Sequence, residues 1–91
     1  MSTAADLAMV IIKEQEAVIG PLAWSVAEEV IGLNVGAKHR VTLSKSGSVV
    51  LAGLVKKYEH LFGPASREVC RDAVRSLLPK VPVGEVPDVL R

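Results

Sequence analysis

The chain has 91 residues, of which 49% are hydrophobic, a formal net charge of +1 and a single cysteine. This length suits one domain, residues 1–91, and the lone Cys70 excludes an intramolecular disulfide or a multi-cysteine zinc site. The N-terminal apolar run stops at Lys13 with no basic segment before it, and no apolar stretch reaches the roughly 18 residues of a membrane span. We therefore expect a cytoplasmic protein without a membrane span.

Charge and hydrophobicity both favour a binding partner. Residues 1–29 carry one lysine and five acids (−4), residues 30–58 carry five cations and no acid (+5), and residues 59–91 carry five charges of each sign (0). Such asymmetry can steer association with an oppositely charged surface, including a second copy of the chain. The apolar content is high for so small a domain, which indicates that some apolar area stays exposed.

The first predicted unit is a helix pair within residues 1–31. Apolar residues recur at helical spacing from residue 3 to residue 19, and Thr3 with Asp6 can form a capping box at the start. Gly20 can end this helix because glycine tolerates positive φ, and Pro21 fits the first position of a new helix. We therefore predict a second helix over residues 21–31, joined to the first by a Gly-Pro corner.

Residues 32–48 form a basic linker. The segment 40–43 could pair with residues 48–51 as a β-hairpin around a glycine-containing turn. We favour a mostly irregular linker, because Val49 to Leu51 fit better into the third helix.

The second predicted unit is a helix pair over residues 48–78. Ser46 or Ser48 can cap its first helix, Gly63-Pro64 forms the corner, and helical spacing continues to Pro79. Both corners are preceded by a lysine and a glutamate at matching positions, 43 residues apart. The sequence thus predicts an all-α, four-helix domain built from two pseudo-repeated helix–Gly-Pro–helix units. Prolines rule out a continuous helix in residues 79–91, which form either an extended strap on the bundle or a frayed tail.

A family resemblance follows from the two corners. The segments EAVIGPLA (16–23) and HLFGPAS (60–66) resemble the short helical modules with an IGP-[IL]-A core that are appended to bacterial signalling proteins. This resemblance implies a non-catalytic regulatory or interaction module, with a larger signalling protein as one partner. The basic linker of residues 32–48 departs from the pattern of those modules.

Candidates for catalysis are few. Cys70 falls on the apolar face of the last helix, where a cysteine is usually a small core residue. His39 and His60 lack the carboxylates of a zinc signature, and there is no phosphate-binding glycine-rich loop. We therefore expect no enzyme activity, no cofactor and no bound metal.

The leading functional hypothesis is a protein–protein interaction module that forms a homodimer and acts as an adaptor or regulatory domain. Trp24 lies at a helix flank, which is a frequent place for an interface anchor, although it could equally cover the edge of the core. In a two-fold dimer the acidic first helix of one copy can face the basic segment of the other. The predicted interface comprises two apolar anchors, two acids and two lysines: Trp24, Ile31, Glu14, Glu28, Lys56 and Lys57.

The alternative hypothesis is nucleic-acid binding. A basic block over residues 38–57 contains no acid, and arginines recur every four residues along the last helix. Such stripes can follow phosphates, although acids beside the arginines can pair with them at i, i+3 or i, i+4. The candidate phosphate contacts are Lys38, Arg40, Lys45, Arg67, Arg71 and Arg75.

Overall fold

The computed structural model describes residues 2–91, which form four helices and a short β-hairpin. The helices are α1 (Ala4–Ile19), α2 (Leu22–Glu28), α3 (Gly47–Phe62) and α4 (Ala65–Val74). Between α2 and α3 lie the strands β1 (Leu33–Val35) and β2 (Val41–Leu43). The chain closes with three short 3₁₀ turns. The domain is therefore mostly helical but not strictly all-α.

The start of α1 has the predicted capping box. The Thr3 hydroxyl accepts a hydrogen bond from the Asp6 backbone N–H at 3.2 Å, and the Thr3 N–H donates to the Asp6 carboxylate at 2.8 Å. Two of the backbone donors left free at a helix start are thereby satisfied.

Both Gly-Pro corners are present and have matching geometry. Gly20 (φ 77°, ψ −164°) and Gly63 (φ 96°, ψ 171°) occupy a region of backbone conformation that is essentially restricted to glycine. Each glycine N–H donates to the carbonyl of the residue four positions earlier, at 2.8 Å in both corners. Each following proline has helical φ and ψ, so the chain enters the next helix without a loop.

The buried faces of α1 and α3 coincide at an offset of 43 positions. The two helices have 16 residues each, and every buried residue of one has a buried counterpart in the other. The α1 set is Ala4, Leu7, Ala8, Ile11, Ile12 and Gln15, and the α3 set is Gly47, Val50, Leu51, Leu54, Val55 and Tyr58. These two faces supply a large part of the core.

Within residues 2–91, two buried hydrogen bonds from a side chain to a backbone carbonyl cross between the helix pairs. Gln15 Nε2 donates to the carbonyl of Ser66 at 3.2 Å, and the Tyr58 hydroxyl donates to the carbonyl of Ala23 at 2.7 Å. The two donors, Gln15 and Tyr58, are 43 positions apart, and so are the two acceptors, Ala23 and Ser66. Each bond satisfies a polar group that would be costly to bury alone.

The N-terminal ends of α1 and α3 meet at Ala4 and Gly47. A Cβ atom added to Gly47 would lie 2.5 Å from the Cβ of Ala4, closer than real Cβ contacts. Gly47 therefore permits the two helices to approach each other here. Ala4 and Gly47 also occupy equivalent positions in their helices.

The linker differs from our expectation. Instead of an irregular segment, β1 and β2 pair antiparallel with Leu33 opposite Leu43 and Val35 opposite Val41. Leu33 and Val41 are buried while the residues between the apolar positions face outward, so the hairpin packs one face on the core. The pairing of 40–43 with 48–51 does not occur, because residues 48–51 lie in α3.

Two helices are shorter than predicted. α2 ends at Glu28 and not at Ile31, because Gly32 (φ 90°) turns the chain into β1. α4 ends at Val74, and residues 75–91 form a strap of turns with Val81 and Leu90 buried. The tail therefore packs on the bundle, as in the strap alternative, but it does so as 3₁₀ turns and not in extended form.

Candidate functional site

An open apolar groove lies between the end of α2 and the first half of α3. Its walls carry Ile31, which is 78% exposed, and Val49, which is 61% exposed. Gly53 lies in the groove, where the absence of a side chain leaves space beside Val30. The groove encloses about 390 Å³. Exposed apolar residues around such a recess are typical of an interaction surface.

Charged residues of both signs border this Ile31–Val49 groove. Glu29, directly after α2, and Lys57 of α3 form an ion pair of 3.2 Å, and Lys45 also lines the groove. The pair is solvent-exposed, so it contributes little to stability and its partners can rearrange at low cost.

Of the predicted interface residues, Ile31 and Lys57 come together in the groove. Glu14, Glu28 and Lys56 are exposed, and within residues 2–91 none of these three forms a salt bridge. Sequence reasoning missed Val49, which it placed in the third helix but not at an interface.

Trp24 is covered by the hairpin. It is only 5% exposed, and the His39 ring stacks on it with centroids 3.8 Å apart and planes inclined by 15°. Its Nε1 is buried and, among the described residues, has no hydrogen-bond partner. In this conformation Trp24 packs as a core-edge residue, the alternative that the sequence left open.

The loop that carries His39 has an unusual backbone. Lys38 (φ 58°) and His39 (φ 59°) are both left-handed, and they are the only non-glycine residues with positive φ among residues 2–91. Left-handed conformation costs roughly 1–2 kcal/mol per such residue. The Gly36 N–H closes the loop by donating to the Arg40 carbonyl at 2.7 Å. The hairpin tip therefore holds Lys38, His39 and Arg40 in one defined arrangement.

The arginines of α4 are engaged within the fold. Arg67 Nη2 lies 2.6 Å from the Glu59 carboxylate, and Arg75 lies 2.6 Å from Asp72. Arg71 Nε donates to the carbonyl of Val89 at 2.9 Å and so ties α4 to the strap. The predicted arginine stripe is thus largely committed to intramolecular contacts, whereas within residues 2–91 Lys38, Arg40 and Lys45 form no salt bridge.

Cys70 is fully buried in α4. Gln15 Nε2 approaches its Sγ at 3.4 Å, and burial raises the pKa of the thiol to about 11. The thiol is therefore protonated at neutral pH, a poor state for a nucleophile.

The described part of the chain has neither a cluster of metal ligands nor a membrane-spanning helix. Within residues 2–91, no three His, Cys, Asp or Glu side chains are grouped so as to hold a metal ion. Over the same residues, no helix has the length and apolar character needed to cross a membrane.

Comparison with family models, curated proteins and solved structures found no significant match to the chain.

Proposed function

We propose that the chain is a non-catalytic protein–protein interaction module that associates with a second copy of itself and serves as a regulatory or adaptor domain. The observation that carries this proposal is the Ile31–Val49 groove, where two large apolar side chains are exposed around a recess bordered by charge. Apolar anchors ringed by polar residues are typical of protein interfaces.

The charges of the groove favour a second copy as the occupant. The groove is lined by both an acid, Glu29, and a base, Lys45. A two-fold axis through the groove would bring Glu29 of each copy to Lys45 of the other, so both contacts would pair opposite charges.

We also infer that the two helix–Gly-Pro–helix units are copies of one ancestral unit related by a pseudo-two-fold axis. Support comes from the common offset of 43 positions in helix bounds, buried faces, corner geometry and crossing hydrogen bonds. The contact between Ala4 and its counterpart Gly47 fits a position close to such an axis.

The groove is a place where this symmetry fails. Ile31 corresponds to Val74 at the same offset, and Val74 is completely buried. α4 packs extensively on α1, whereas α2 is shorter and packs much less on α3. The exposed Ile31 therefore occupies a position that is closed in the other unit, which supports its use by an external partner.

A non-catalytic role is supported by the thiol. Burial raises the pKa of Cys70, the chain's one cysteine, and outweighs the hydrogen bond from Gln15, which acts in the opposite direction. Cys70 therefore lacks the activating surroundings of a catalytic cysteine.

Light scattering coupled to size-exclusion chromatography tests self-association. We expect a dimer for the parent chain, and loss of the dimer for Ile31→Gln combined with Val49→Gln. Val83→Gln is the matched control, since Val83 is 71% exposed but lies outside the groove. Because all three side chains are exposed, circular dichroism should stay unchanged in every variant.

A charge-swap experiment tests the pairing itself. Lys45→Glu alone and Glu29→Lys alone should each weaken the dimer, because like charges then face each other across the axis. An equimolar mixture of the two variants should restore it, because every contact again pairs opposite signs. A parent chain that stays monomeric at high micromolar concentration would refute self-association.

A further inference from the structure

We propose that the hairpin tip is a binding site for single-stranded nucleic acid, in which a base stacks on His39 and the flanking phosphates contact Lys38 and Arg40. This site is separate from the Ile31–Val49 groove and does not depend on dimer formation. The tip comprises Gly36 to Arg40, the loop between β1 and β2.

The first observation is a prepared stacking platform. The imidazole of His39 rests on the indole of Trp24 at 3.8 Å with nearly parallel planes. Trp24 is buried, so it fixes the plane of His39, while His39 itself is exposed. A planar base can extend this two-ring stack by one layer, an interaction that tolerates any base.

The second observation is that the positive charges of Lys38 and Arg40 are not paired with acids among the described residues. An open depression of about 490 Å³ beside His39 is lined by Met9, Ala37, Lys38, His39 and Arg40, and this lining contains no acid. The two cations form no salt bridge within residues 2–91. An anion with a planar apolar part, such as a nucleotide unit, therefore matches both components of the site.

The third observation is the strained backbone of the loop. Lys38 and His39 are both held in the left-handed conformation although neither is glycine. Strained backbone of this kind tends to accumulate at functional positions. Here it holds the imidazole on Trp24 between the two cations.

These features favour a single strand over a duplex. The bases of a duplex are stacked on each other and cannot reach a side-chain platform, whereas those of a single strand can. The α4 arginines are bonded to Glu59, Val89 and Asp72, so they do not offer a second free stripe for phosphates.

Fluorescence anisotropy with a labelled oligothymidine of about 10 nucleotides tests the proposal, with a duplex of the same length as the comparison. Two phosphate contacts predict a log–log salt slope near −1.4, or roughly a sevenfold loss of affinity between 50 and 200 mM salt. The duplex should bind more weakly than the single strand. Binding should also change the fluorescence of Trp24, the chain's one tryptophan.

Variants that preserve the turn separate stacking from charge. His39→Asn removes the ring but keeps a residue that tolerates positive φ, and it should weaken single-strand binding at least about fivefold. Lys38→Asn combined with Arg40→Gln should abolish the salt dependence. Arg75→Gln, a change at an arginine paired with Asp72, should leave binding unchanged.

The proposal is overturned by any of three results. These are no binding at low salt, equal affinity for duplex and single strand, or affinity that the tip variants leave unaltered while they remain folded by circular dichroism. None of these results bears on self-association through the groove, which Ile31→Gln with Val49→Gln tests separately.

Discussion

The contact between Ala4 and Gly47 makes a sharp prediction about the core. In Gly47→Ala the added Cβ would lie 2.5 Å from the Cβ of Ala4, about 1 Å short of an ordinary carbon–carbon contact. Helix α1 or α3 would have to shift, and overpacking of this kind costs about 1–3 kcal/mol. For a domain of this size, that loss corresponds to a melting temperature lower by roughly 4–24 °C.

A compensating change tests the cause. Ala4→Gly removes the atom that is struck, so the double variant Ala4→Gly with Gly47→Ala should recover most of the loss. Recovery should be incomplete because Glu85 lies 3.3 Å from the same added atom. Chemical denaturation of the parent, both single variants and the double variant gives the coupling energy, which should exceed about 0.5 kcal/mol for residues in contact.

Gly53→Ala is the matched control in the same helix. There the added Cβ would lie 3.4 Å from Val30 Cγ1, at the edge of ordinary contact. Alanine is favoured over glycine inside a helix by about 1 kcal/mol, so this variant should be as stable as the parent or more stable. If Gly47→Ala has the parent's stability, or if Ala4→Gly fails to relieve it, the packing argument is incorrect.

Two further predictions concern the corners and the buried ionisable groups. Gly20→Ala and Gly63→Ala should each lower the free energy of unfolding, measured by urea denaturation, by about 1–3 kcal/mol. The two losses should be nearly equal, because both glycines share one backbone region with open space around the missing Cβ. Clearly unequal losses would argue against equivalent corners. Burial raises the pKa of Cys70 from 9.0 to about 11 and raises that of Tyr58 as well. The free energy of unfolding should therefore keep its full value below about pH 9 and fall as the pH rises toward 11. The thiol alone should contribute a loss of about 1.4 kcal/mol per pH unit. Cys70→Ala should lessen this alkaline loss, and equal losses in both chains would contradict it.

Much of the helical architecture could be predicted because its signals are local. The Thr3 capping box, the Gly20 and Gly63 corners, and the apolar faces of α1 and α3 each depend on residues close together in sequence. The ends of α2 and α4 depend on what packs beyond them, and both were predicted too far along the chain.

The hairpin was missed for identifiable reasons. Its strands have three residues each, too short for alternation to stand out, and its tip uses Lys38 and His39 at positive φ in place of the usual Asn-Gly. A signal was nonetheless present, because Leu33 to Val35 and Val41 to Leu43 both alternate apolar and polar residues around a glycine-containing loop.

The candidate site was the least predictable part. A helical projection places Trp24 at a flank, but only the hairpin fold reveals that His39 covers it. Pairing of Arg71 and Arg75 with acids three residues away followed from helix spacing. The ion pair of Arg67 with Glu59 spans the corner and required the tertiary structure.

The crossing hydrogen bonds have a consequence for how the chain folds. Each Gly-Pro corner joins helices adjacent in sequence, whereas Gln15 bonds to Ser66 across 51 positions and Tyr58 to Ala23 across 35. The chain loses entropy in closing these long loops before the distant contacts stabilise it. We therefore expect the encounter of the two helical hairpins to be the slow step of folding, with Gln15 and Tyr58 becoming fixed only when that encounter succeeds.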